Sequence, residues 1–138
     1  MAVLWFDLMF DVQTRGHAGE ILPAEVLASI RAYYRRVTTD ARPMGGLVRV
    51  VMLLTVAAIV AEIVLQQGRG WAAWVSLAAA ASAIGLAVAR TIPNASRLAG
   101  GADGPELQSS LARLILRDHL YCLAAIALLV TLQLVARA

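Results

Sequence analysis

Asp7 and Asp11 stand four residues apart inside a run, Leu4 to Val12, that is otherwise apolar, and Arg15 follows four residues further on. On a helix these three form one polar stripe, while Trp5, Phe6, Leu8, Met9, Phe10 and Val12 cover the remaining surface. A carboxylate at bilayer depth costs about 2.5 to 3.5 kcal/mol on insertion scales, so each acid must be protonated, paired with an arginine, or facing water. With the first helix entering from the outer face at Met1, Asp7 lies ~9 Å and Asp11 ~15 Å down, and Glu62 lies ~18 Å beyond Val50 on a later helix. The three acids are therefore expected to share one layer. Two readings follow: a buried network in which Asp7 or Asp11 pairs with Arg15 or another arginine and fixes helix register, or a polar site for protons, a cation or a polar ligand group. A third leaves the first segment at the membrane interface. Arg117 and Tyr121, in one row on the last helix, complete the candidate polar site.

A general base for catalysis would come from Asp7, Asp11, Glu62 or His119, none of which the spacing singles out. His17 with Glu20, and Asp118 with His119, each put an acid and an imidazole on one edge, a donor set suited to iron, manganese or zinc. Paired di-iron bundles need Glu-x-x-His on two helices with further glutamates, and the chain carries neither copy, so no metal and no other cofactor is expected. His119 and Cys122 are three apart, without a third group to orient them; the lone cysteine reads as packing. Ser82 sits in no nucleophile motif and reads the same way. One cysteine also excludes an intrachain disulfide, a CxxC redox pair and a cysteine-built zinc site.

The elements that must position these groups are set by hydropathy. Hydrophobic residues make up 60% of the 138 positions and are gathered into long runs, which points to lipid as the solvent for one all-α bundle domain spanning residues 1–138. The first helix is expected over about 2–21, with Gly16 and Gly19 weakening its second half. Pro23 opens an amphipathic helix to about residue 37, apolar along Val26, Leu27, Ile30, Tyr34 and Val37, whose tyrosines and arginines fit the headgroup region. It either lies along the membrane or extends a bundle helix past it. Three spans follow at about 47–66, 71–89 and 119–136, giving four helices in the membrane when the polar first helix is included. Ala78 to Gly85, small residues at helical spacing, is expected to make the closest helix contacts. The chain is expected to leave the membrane at Thr91 to Leu98, and Pro105 to open the last helix.

All 12 basic residues are arginine. Arg15, Arg31, Arg35, Arg36, Arg42, Arg97, Arg113 and Arg117 fall on one side of the spans, and Arg69 and Arg137 on the other. The arginine-rich side is expected to be cytoplasmic, in a bacterial cytoplasmic membrane, with the C-terminus outside. Anionic lipid headgroups account for these arginines, and no nucleic-acid-binding motif accompanies them. The acids within the first apolar run argue against a cleaved signal peptide.

The Pro93-Asn94 exit and the last-helix stretch Arg117-Asp-His-Leu-Tyr121 resemble the anthrone-oxygenase-like family of small four-helix integral membrane proteins, over roughly residues 47–137. The resemblance implies four helices and, by the activity named for some members, cofactor-free proton abstraction from an activated aromatic ring. Against it stand two further expectations from the residues themselves. One is a self-associating binding or accessory protein with membrane lipids and a lipophilic small molecule as partners; the other is a proton or cation pathway.

Overall fold

A computed structural model of the chain describes residues 2–40 and 42–136, so Arg137 of the charge count lies outside the described residues. The fold is an all-α bundle. Helix α1, Ala2–Asp11, ends in a single tight turn over Val12–Thr14. It does not run on to residue 21: Arg15 takes an extended conformation and Gly16 a positive φ of 86°, a conformation glycine adopts without the Cβ penalty. At ten residues α1 is ~15 Å long, about half the hydrocarbon thickness.

Helix α2, Ala24–Arg35, follows Pro23 and passes through a π-helical turn over Arg36–Asp40 towards α3, Arg42–Leu65. It is held by the bundle itself. Its apolar side packs lengthwise on two other helices, α5 (Ile92–Gly100) and the start of α6 (Pro105–Val135). Leu22, Leu27, Ile30, Tyr34, Ala95, Leu98, Leu111, Ala112 and Ile115 form this core, with Ile30, Leu98 and Ile115 fully buried.

Three helical stretches are long and apolar enough to cross a membrane: Gly46–Leu65, Trp71–Gly100 and Pro105–Val135. The second joins α4 (Trp71–Leu86) to α5 through a π-helical turn at Ala87–Thr91. The expected exit at Thr91 to Leu98 is thus helical. Proline lacks an N–H and crowds the carbonyl four residues back; at Pro93 the widened turn just upstream absorbs both defects and the helix continues. The last helix likewise begins at Pro105 and runs unbroken through residue 119. Stretches of 30 and 31 residues measure ~45 Å, some 15 Å more than hydrocarbon requires, and residues 100 and 105 bring the surplus of both to the same projecting end of the bundle. That projecting end is where α2 packs.

Within the apolar half, α4 lies between α3 and α6. Its buried positions are Ala72, Ala73, Ser76, Ala80, Ala83 and Ala87; Ala73 and Ala80 meet Ile59 and Ile63 of α3, and Ala83 meets Cys122 and Ala125 of α6. This corrects the face expected from Ala78 to Gly85. Ala81 and Gly85 point outward, and a Cβ built on Gly85 meets nothing within 4 Å. Every side of this helix is lined with small residues, so size alone does not say which side is covered. Ala73→Leu is expected to cost about 1 to 3 kcal/mol by overpacking, whereas Gly85→Leu leaves stability in detergent unchanged or higher. Equal melting temperatures for the two variants would contradict this assignment of faces.

Candidate functional site

The residues with chemical potential meet where α1 ends against α6. Asp11, in the last turn of α1, is fully buried, and both of its oxygens are engaged by other helices. The Tyr34 hydroxyl donates to Oδ1 at 2.7 Å, and His119 Nδ1 approaches Oδ2 at 2.6 Å. With Asp11 ionised, the ring nitrogen is the donor, and the contact is a charge-assisted bond when the imidazole is protonated. One helical turn away, Asp7 accepts a 2.6 Å hydrogen bond from Tyr33, whose ring stacks on Phe10 at a centroid distance of 4.1 Å. His119 Nε2 stands 3.9 Å from Asp7 Oδ2, beyond direct hydrogen-bond reach, so the imidazole sits between two carboxylates and bonds only one.

The pairing is dictated by spacing. Asp7 and Asp11 are one turn apart on α1; the adjacent Tyr33 and Tyr34 close α2, and each phenol reaches one acid. Burial raises the pKa of Tyr33 above the usual phenol value, and the Asp7 carboxylate raises it further. For Tyr34 burial again dominates, followed by Asp11. Both hydroxyls therefore keep their protons and serve only as donors to the acids.

A second group joins α4 to α6 at the same level. Asp118, fully buried beside His119, takes two hydrogen bonds from the Arg90 guanidinium and one from Thr91 Oγ1 at 3.1 Å. Arg90 and Thr91 belong to the π-helical turn that precedes Pro93. That widened turn places both donors over one carboxylate. The loop after α1 is held further along α6: Arg113 donates to the carbonyls of Gly19 and Glu20, and Ser109 Oγ accepts from the Leu22 backbone N–H at 2.9 Å. α1 therefore runs antiparallel to α6, with Leu4 packed near Ala125 and Asp11 against His119.

Of the expected site residues, Asp7, Asp11 and His119 come together and the others do not. Glu62 lies one turn before the connection at residues 66–70, at the opposite end of the bundle, where its carboxylate accepts from Gln66 at 3.1 Å. The expected common depth rested on α1 entering from the outer face. Instead its acid-bearing end meets the projecting half of α6. Arg15 and Arg117 are exposed, and neither reaches the buried acids; the partners are tyrosines and a histidine where arginines were expected. Tyr121 points away to Ser82 Oγ at 2.9 Å, in a shallow apolar groove of about 410 Å3 between α4 and α6. His17 and Glu20 remain on the exposed loop, apart from Asp118 and His119, and no set of three or more potential ligands forms a metal site among the described residues.

No protein-family model, curated protein or solved structure matches this chain. The residues that spacing alone passed over are Tyr33, Tyr34, Arg90 and Thr91. Two signals pointed to them: a tyrosine pair closing an amphipathic helix, and an arginine 19 residues past Trp71, ~28 Å along one helix and so at the far edge of the hydrocarbon.

Proposed function

We propose that this protein is a self-associating membrane binding or accessory module, whose buried acid, histidine and tyrosine layer holds four helices in register where the bundle leaves the bilayer. The observation that carries this reading is the closure of the layer. Asp11 and Asp118 are fully buried, and every carboxylate oxygen on them is hydrogen-bonded from outside its own helix, Asp11 by α2 and α6 and Asp118 by the turn at Ala87–Thr91. A catalytic base must reach substrate, whereas these two acids are spent on neighbours. The apolar groove lined by Ala78, Ala79, Ser82 and Ala124 supports self-association, since small side chains let helix backbones approach closely in lipid. By the arginine asymmetry, the projecting end faces the cytoplasm.

Single-molecule photobleaching in lipid bilayers tests the association. The parent is expected to form dimers or larger assemblies, and Ala79→Phe with Ser82→Phe to give monomers with an unchanged melting temperature. A parent that is monomeric at every protein-to-lipid ratio would refute self-association.

A second reading, an enzyme acting on a lipophilic aromatic substrate as the anthrone-oxygenase-like resemblance implies, rests on the 3.9 Å gap between His119 Nε2 and Asp7. These two side chains keep 11% and 13% exposure, and a substrate hydroxyl bridging the gap would lie within reach of a base. Oxygen consumption with a hydroxylated polycyclic substrate, abolished by His119→Gln, would favour it over the accessory role.

A further inference from the structure

We propose that the exposed arginines ringing the buried layer form a binding belt for the phosphates of anionic phospholipids at the inner edge of the bilayer. Arg15 follows α1, Arg35 and Arg36 close α2, Arg49 lies on α3 and Arg117 on α6; all five are exposed. The layer fixes the height of Arg15, Arg35, Arg36 and Arg117. Arg35 follows Tyr34, which bonds Asp11, and Asp11 bonds His119, two residues from Arg117. Arg15 lies one turn beyond Asp11. Across the tight connection at residues 66–70, Arg49 stands 16 residues before Leu65, ~24 Å along α3, and Arg90 stands 19 residues after Trp71, ~28 Å along α4. Both depths place the belt at the far boundary of a hydrocarbon layer whose other boundary carries Trp71 and Trp74.

The charge at this height is unbalanced. Arg90 is neutralised by Asp118, but none of the five belt arginines has an ion pair or hydrogen bond from its side chain among the described residues. The exposed acids of this half whose side chains are described stand farther out: Glu25 is ten residues, ~15 Å, before Arg35, Glu106 eleven residues, ~16 Å, before Arg117, and Glu20 is on the loop that Arg113 holds. In the sequence Asp40 follows Arg36 by four residues. Cations thus outnumber acids at the level where lipid phosphates lie, and Glu20, Glu25 and Glu106 are displaced outward. Arginine presents a planar fork that matches phosphate oxygens, and its stem can lie along apolar surface while the head reaches the boundary. A soluble acidic partner would not require all five at hydrocarbon depth; a headgroup does.

Electron spin resonance with spin-labelled phosphatidylglycerol and phosphatidylcholine, on the full chain reconstituted in phosphatidylcholine bilayers, tests the proposal. The parent should prefer the anionic label by about fivefold or more, the factor one arginine near an anionic surface supplies, and high salt should weaken that preference. Arg35→Gln with Arg36→Gln and Arg117→Gln should weaken it severalfold, the same three positions as lysine should retain more of it, and Arg69→Gln at the other end should leave it intact. If the triple glutamine variant fails to fold, Arg36→Gln alone should still lower the preference. Equal affinity for the two labels in the parent, or a preference undiminished in the folded triple variant, would overturn the belt. Loss of the preference to inorganic phosphate at constant ionic strength would also overturn it, in favour of a free-anion site.

Discussion

Asp11→Ala is expected to destabilise the protein by about 3 to 5 kcal/mol, the range for removing one partner of a buried charged pair. The loss has three parts: the Tyr34 hydroxyl and His119 Nδ1 lose their acceptor, and a protonated imidazole at this depth would have no counter-charge on its Nδ1 side. Asp11→Asn is expected to cost less, about 1 to 2 kcal/mol, because the amide oxygen still accepts from Tyr34 while its NH2 can donate to a neutral ring. Thermal unfolding in detergent, followed by the near-ultraviolet signal of Tyr33 and Tyr34, measures both. If Asp11→Ala melts with the parent, the layer does not hold the helices and the proposed role fails with it. The order also separates the readings: a working site would be lost in the asparagine variant with stability intact, whereas a structural layer is damaged most by alanine.

Ile115→Ala is expected to cost about 2 to 5 kcal/mol, through lost burial and the cavity left in a core that cannot fully collapse. Ile115 has no exposure and is packed among Ile30, Tyr34, Leu98 and Leu111, where α2, α5 and α6 meet at the projecting end of the bundle. With that half outside the bilayer, as proposed, water supplies the hydrophobic driving force, as it does in a soluble domain. Leu53→Ala, on a side chain 70% exposed on α3 in the apolar half, exchanges one lipid contact for another and should change stability little. Equal destabilisation by the two substitutions, or none by either, would show that the α2, α5 and α6 core is not an aqueous-side core. Slow amide exchange over residues 108–116, surviving in detergent but lost in Ile115→Ala, provides the second measurement.

Hydropathy along the chain was enough to establish lipid as solvent, the all-α class and three spanning stretches, because each depends on the composition of a continuous run and needs no knowledge of its neighbours. The breaks at residues 67–70 and 101–104 were legible for a similar reason: Gly68 and Gly101 supply positive φ angles locally. The importance of Asp7 and Asp11 was legible too, since a charge in an apolar run must be compensated wherever it lies. Their partners were not. Asp11 meets His119 across 108 positions and Tyr34 across 23, and long-range contacts of this kind depend on how far α1 runs along α6 before Gly16 turns the chain. Glu62 was assigned to the same layer by counting rise from an assumed entry face. Once α1 lies antiparallel to α6 with its acid-bearing end at the projecting half, an identical depth count puts Glu62 at the opposite boundary. The packed side of α4 was undecidable for another reason: small residues occupy its whole circumference, so only the positions of α3 and α6 select Ala73, Ala80 and Ala83 for burial. The helical course of the Pro93 stretch was not legible, because a π-helical turn that no residue pattern announced carries the helix past the proline and, in doing so, sets Arg90 and Thr91 on Asp118.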